Sequence, residues 1–486
     1  MMEELHPLSS PCRASQRDSK RLLDLCIRPR TLWILVALFL VVSADAGPSA
    51  VRSTATDRED IKLAIYDGRA LVSETRRIEL PKGRSHLLFE DVPATIDPSS
   101  VQVQAMGSNA ALRVLEQNYK SADITRDELV RHSIGKYVTL IEKERRTKAR
   151  LLAPGIYEID GEVLIGHQGP LQLPAVPEGL VEKPILSCVV ESDRAKELTV
   201  ELSYLASGIS WDAFYASTLG RDEGSMSLRG VISITNTSGA SYERAHVSVV
   251  AGSVRFARDE VFRPEMRALK MSGAPAPGEQ IAPTSEFEYH VYPLPEPVTI
   301  ELGQEKQIGF LSSDQCRVSR QHLFEWSYHS GRNEPAEDSA KVILKIENSE
   351  SSGLGSPLPQ GLVRVYKRLK TQLLFMGEDK IDDVPKDQKF DLYIGKAFDV
   401  VGKKNRTKFR SLGREGEEAS FKVSVTNRKL EDVRVVVSER IPGDWDMLES
   451  TFDYEWVTSN RVEFKFTVAP NEEKTMEYSI RINRRY

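Results

Sequence analysis

The stretch GVISITNTSGASYERAHVSVVAGSV, Gly230 to Val254, carries the clearest architectural signal in the chain. Apolar and polar residues alternate from Val231 to Thr235 and again from Ala245 to Val250, with a polar, glycine-containing patch between the two runs. Period-two alternation broken by turn residues is the signature of a β-hairpin with one face buried. The arrangement recurs as FKVSVTNRKLEDVRVVVSERIPGDW from Phe421 and, more loosely, as KVILKIENSESSGLGSPLPQGLVRVYK from Lys341. In each, a strand ends in asparagine, at Asn236, Asn427 and Asn348. Asparagine tolerates the left-handed conformation, and its side chain can bond its own backbone two residues on, so folding alone accounts for the repeat.

The same pattern extends outward. From Ile61, four short strand candidates are punctuated by Asp67-Gly68, Pro81-Lys82-Gly83 and Asp97-Pro98, giving a small N-terminal β domain over 58–185. Inside it, Thr125-x-x-Glu128 is a capping box for one or two helical turns, and short strands after Gly135 suggest a barrel-like insertion over about 121–175. The proline-rich text PAVPEGLVEKP, Pro174 to Pro184, marks a linker. A central β domain is expected over 186–410, with a mobile loop near 257–286 whose Ala, Pro and Gly content buries little apolar surface. From 411 to 486 some six strands fit an immunoglobulin-like sandwich. The fold class is therefore mainly β, with several antiparallel sandwich domains.

With 486 residues and a formal charge of −5, the chain can bury more than one core and shows no overall electrostatic footprint for nucleic acid or an anionic surface. Arg28 and Arg30 precede an apolar run of eleven residues, Leu32 to Val42, and then Ala44-Asp45-Ala46. These read as a secretory signal peptide over 1–46, followed by a flexible tail over 47–57. Eleven residues span about 16 Å as a helix against a hydrocarbon core of about 30 Å, so membrane contact is expected only through an uncleaved leader. An exported chain would keep Cys188 and Cys316, which either pair as a disulfide or sit as small buried hydrophobes.

Catalytic templates find no match. The histidines are scattered singly, without H-E-x-x-H or H-x-H, and there is no C-x-x-C, G-x-S-x-G or phosphate-binding glycine loop. Two acidic runs remain, with Glu378, Asp379, Asp382 and Asp383 in one and Asp444, Asp446 and Glu449 in the other. Either can be a calcium site, a glycosidase acid pair or a solvated turn. Trp211 and Tyr215 share one side of a strand, and with Trp445 they are candidates for a ligand-binding aromatic face, packing in the core being the alternative. No cofactor or metal is expected.

Six segments in order, SYLASGISWDAFYAS, GVISITNTSGASYERAHVSVVAG, PLPQGLVRVYKR, LLFMGEDKI, LYIGKAFDV and VVVSERIPGDWDMLES, resemble the bacterial envelope family named only as domain of unknown function 4139. The likeness runs from about Asp57 to the C-terminus. It implies an all-β exported protein and supplies no catalytic residues. Longer relatives carry a coiled coil where this chain has Thr125 to Leu173, which lacks heptads. The leading expectation is a non-catalytic protein of the periplasm or cell envelope that binds or scaffolds an envelope protein or a surface glycan. The alternatives are a carbohydrate-active hydrolase using a carboxylate pair, or an oligomeric surface component pairing through an open edge near Val423 or Val435.

Overall fold

The computed structural model describes residues 49–483 apart from 108–111, 123, 143–144, 168, 178–179, 253, 257–282, 287 and 331–334. The expected leader, and the expected loop near 257–286 up to residue 282, lie outside the described residues. Among the described residues 67 % are strand and 5 % helix, so the fold is mainly β, in several sheets, none of which closes into a barrel there.

The chain opens with β1 (Ser49–Ser53), β2 (Arg58–Ile65), β3 (Arg69–Leu80) and β4 (Gly83–Phe89), followed by β5 (Gln102–Ala105) and β6 (Leu112–Lys120). Part of the stretch expected as a flexible tail is thus ordered: β1 pairs in parallel with β4, and Ser53 is buried. The helix α1 (Arg126–Arg131) has Thr125 as its N-cap, the hydroxyl accepting from Glu128 N at 3.2 Å. It leads into β7 (Tyr137–Glu142), β8 (Arg145–Ala153), β9 (Ile156–Ile159), β10 (Glu162–Ile165) and β11 (Leu171–Gln172). These five strands form an open sheet in the order β10-β9-β8-β7-β11 over a small core of Val138, Leu140, Ala149, Leu151 and Tyr157. The expected barrel is corrected to this open sheet, because β10 and β11 end on opposite edges and do not pair.

Next come β12 (Ile185–Ser192), β13 (Lys196–Ser207), β14 (Ile209–Leu219), β15 (Ser225–Asn236), β16 (Tyr242–Ala251), β17 (Thr284–Glu286), β18 (Tyr289–Pro293), β19 (Val298–Ile300) and the 23-residue β20 (Glu305–Ser327). Segments on both sides of residue 185 share sheets: β12 joins β4 and β6, and β13 pairs along all of β3. A single buried cluster accordingly runs from Ile61 of β2 through Leu87, Cys188, Val200 and Ile232 to Leu392. Each fully buried Val, Leu or Phe here contributes about 1.5–3 kcal/mol of transfer free energy. Among the described residues four pairings are parallel, β1 with β4, β2 with β16, β14 with β22 (Gly361–Leu369) and β20 with β26 (Val433–Arg440), so the sheets are mixed where pure antiparallel order was expected. Each parallel pair joins segments distant in sequence, which local alternation cannot reveal.

The remaining strands are β21 (Ala336–Glu347), β23 (Gln372–Ile381), β24 (Lys389–Ser411), β25 (Gly416–Asn427), β27 (Asp444–Ser450), β28 (Tyr454–Thr458), β29 (Arg461–Val468) and β30 (Glu473–Asn483). In the C-terminal region two runs of strands, joined through β20, enclose one core. One layer is β21-β24-β25-β30-β27 and the other is β20-β26-β29-β28, around Phe421, Val423, Val437, Phe464 and Tyr478. This region also recruits β20, β21 and β24 from before residue 411. Val423 lies on β25, between β24 and β30, and Val435 on β26, between β20 and β29, so neither strand is the open edge expected of it.

The asparagine repeat is a threefold structural device. Asn236, Asn348 and Asn427 are all fully buried. The residue before each pairs with Glu305, Lys389 and Glu473 respectively, and two positions before those partners stand Gly303, Asp387 and Asn471, all with positive φ. Each asparagine Nδ2 donates to carbonyls of the returning segment: Ala240 and Ile300; Ser356, Val384 and Pro385; Glu431, Val468 and Ala469. The expected bond to the backbone two residues on is present at Asn236 (Ser238 N, 3.1 Å) and Asn427 (Lys429 N, 3.0 Å). The left-handed conformation sits on the opposite turn instead.

Candidate functional site

β28 is an edge strand, paired only with β29, and all five of its residues are exposed. Its alternation sends Tyr454 and Trp456 to the side of Phe464 and Val462, their register partners, where the two layers of the sandwich part. β27 reaches the same place from the other layer and brings Trp445. Trp445 is 5 % exposed, and its Nε1 donates to Ser459 O at 3.1 Å. Trp456 stacks on it with ring centroids 4.2 Å apart and planes 29° apart, and remains 51 % exposed. Tyr454 stands edge-on at 6.5 Å from Trp456. The result is a fixed aromatic pair whose inner ring is anchored in the core and whose outer ring meets solvent, flanked by exposed Leu448 and Val457.

The segment joining β27 to β28 encloses a shallow depression of about 720 Å³ lined by Met447 to Tyr454, which includes Glu449 and Asp453. Thr451 holds its base: its N donates to Glu477 O at 2.9 Å, and its Oγ1 accepts from Glu477 N at 2.9 Å. Phe452 packs on Phe466 with centroids 5.1 Å apart. Apolar edges with nearby carboxylates suit a ligand carrying both C–H faces and hydroxyls.

Two of the three aromatic candidates are placed differently from a binding face. Tyr215 is buried, its ring edge-on to Phe310 and its hydroxyl donating to Pro359 O at 2.7 Å; burial holds that phenol well above its usual range. Trp211 is half-buried and packs on the same core. They do share a side of β14, but that side is the interior, so the core-packing alternative holds for them and the binding-face candidacy does not. Trp445 is also a core residue; its role is to seat Trp456. Tyr454 escaped the sequence reading, although the alternation in Tyr454-Glu455-Trp456 carries the signal.

Cys188 and Cys316 are both free and buried, on β12 and β20 of different sheets, so of the two alternatives they sit as small buried hydrophobes and not as a disulfide. Burial pushes their thiols up to about 12 and about 11. Several members of the acidic runs have local backbone or side-chain partners. Asp379 accepts from Tyr393 N at 2.7 Å, Asp383 from Gln360 N at 2.8 Å, Asp446 from the Asn483 amide at 3.0 Å, and Glu378 pairs with Arg364. Among the described residues no group of three or more His, Cys, Asp or Glu is placed to hold a metal ion. No helix among the described residues is long and apolar enough to cross a membrane.

No curated protein matches the chain. Residues 64–153, from the end of β2 through β8, match the family described as N-terminal domain of unknown function (DUF4140).

Proposed function

We propose that the chain is a non-catalytic binding and scaffolding module of the cell envelope, and that it holds a surface glycan on the aromatic edge formed by β27 and β28. The observation that carries this reading is Trp456, half-exposed and stacked on a core tryptophan, so that its outer face is presented without loss of side-chain entropy on binding. The leader motif and the resemblance of the six segments to the 4139 family support an exported setting. The test is retention on insoluble envelope polysaccharide. Trp456→Ala, with an unchanged circular dichroism spectrum, should lose about 5- to 30-fold in affinity, since one aromatic contact of this kind is worth about 1–2 kcal/mol. Equal retention of the wild type and the variant overturns the glycan reading. Release of soluble sugar that stops in Glu449→Gln or Asp453→Asn would instead make the chain a hydrolase, because those two carboxylates line the same depression.

A further inference from the structure

We propose that the tip of the β22–β23 hairpin, together with the β25–β26 turn, docks the protein on an anionic phospholipid surface. From Tyr366 to Gly377 the sequence holds three cations, Lys367, Arg368 and Lys370, and no acid. β14 accompanies β22 only as far as Lys367, opposite Leu219, so the residues beyond it overhang the sheet. Leu369, Leu373, Phe375 and Met376 are exposed there, Phe375 at 57 %.

The register sets which face each side chain takes. Tyr366 with Phe375 and Arg368 with Leu373 occupy one face, while Lys367 with Leu374 and Leu369 with Gln372 occupy the other. Exposed apolar groups therefore project from both sides of a two-stranded tip. One flat protein partner covers one face; a headgroup layer surrounds both, burying the apolar groups while cations meet phosphate.

A chain of ion pairs fixes a second contact beside the first. Lys367 and Arg320 both pair with Glu223, and Arg320 also pairs with Glu431 in the β25–β26 turn. Lys429 adds a 3.5 Å contact to Glu431. Glu223 and Glu431 are thereby paired within the protein, Asp222 caps its own turn by accepting from Gly224 N, and Asp432 and Asp399 are two further acids at the second contact. Arg368, Lys370 and Arg428 have no ion pair among the described residues. Leu430 in that turn is 90 % exposed, and Arg428 N donates to Asp399 O at 2.8 Å, bringing the turn beside Phe398, 92 % exposed. The balanced charge of the whole chain conceals the cationic surplus of the hairpin tip.

The experiment is co-sedimentation of the full chain with vesicles of phosphatidylcholine alone or mixed with phosphatidylglycerol, each variant being read against the wild type so that any contribution of residues 32–42 is common to both. Arg368→Ala/Lys370→Ala should weaken binding to the anionic vesicles by about 30-fold and reduce its salt dependence. Leu369→Ser/Phe375→Ser should weaken it by at least fivefold with an unchanged melting curve, and Leu430→Ser, far out in solvent, gives an independent check should that pair disturb folding. Phe375→Trp should show a blue-shifted emission only with anionic vesicles. Trp456→Ala should bind vesicles as the wild type does, which separates this surface from the glycan edge. Equal binding to both vesicle types, or binding unchanged in all these variants, overturns the proposal. So does loss of a captured envelope protein in the serine variants with vesicle binding intact.

Discussion

Replacing Asn427 by alanine tests the structural device on which the C-terminal sandwich depends. The side chain makes four bonds: Nδ2 to the carbonyls of Glu431 (2.8 Å), Val468 (3.1 Å) and Ala469 (3.0 Å), and Oδ1 from Lys429 N (3.0 Å). Water can replace the bonds in the Lys429–Glu431 turn. It cannot readily replace the one to Val468, which is fully buried, whereas Ala469 is exposed. At about 1–3 kcal/mol for a buried partner left unsatisfied, and little for the exposed ones, the loss is about 1–3 kcal/mol. With a dependence of about 2 kcal/mol per molar urea, the midpoint should fall by roughly 0.5–1.5 M. The assay is urea unfolding followed by tryptophan emission, to which Trp326, Trp445 and Trp456 contribute from this unit. Asn405→Ala, at an exposed position of β24, is the control and should stay within about 0.5 kcal/mol. Asn427→Asp should be worse than alanine at neutral pH, since it turns a carboxylate oxygen toward three carbonyls. A midpoint for Asn427→Ala no lower than that of Asn405→Ala would refute the reasoning.

Further outcomes follow from buried ionisable groups. Burial, then Lys429 and Arg320, lower His322 to about 4, so the unfolded chain binds the extra proton first and stability should fall as pH drops from about 6.5 to 4. The loss approaches about 3 kcal/mol; His322→Phe should flatten that part of the pH–stability curve, and an unchanged slope counts against the assignment. Cys188 and Cys316 should resist a thiol reagent at pH 8 until denaturant is added, and a reductant should leave the melting temperature unmoved. Lys404 and Glu439 form a buried pair at 2.6 Å. Lys404→Met should cost about 3–5 kcal/mol by stranding the carboxylate, and Lys404→Met/Glu439→Leu should recover most of it in a chemical-denaturation series.

Much of the fold was legible because it is local. The alternation around Val231 and Ala245 places β15 and β16, and Thr125-x-x-Glu128 places the single described α-helix, with the hydroxyl cap as expected. The candidate site was half legible. Trp445 was singled out, but its significance lies in Trp456, which comes from another layer and meets it only in the folded sandwich. Trp211 and Tyr215 look the same in sequence as an exposed aromatic pair, because alternation says which residues share a face and not whether that face is inside. The cationic hairpin tip escaped a whole-chain charge count for a related reason: electrostatics acts over about 10 Å, not over the length of a chain.

What the amino-acid order determined by itself is the inventory of strands and turns, since backbone preference and period-two patterning need only near neighbours. The three strand-ending asparagines were also visible there, yet their role was not. That a buried amide ties each of Asn236, Asn348 and Asn427 to a returning strand, as far as 64 residues away for Ile300, exists only once the segments meet. Parallel pairing, the core shared from Ile61 to Leu392, and the stacking of Trp456 on Trp445 were likewise settled by tertiary structure. The physical reason is that long-range contacts are selected by the joint burial of many faces at once, a quantity no single stretch of sequence contains.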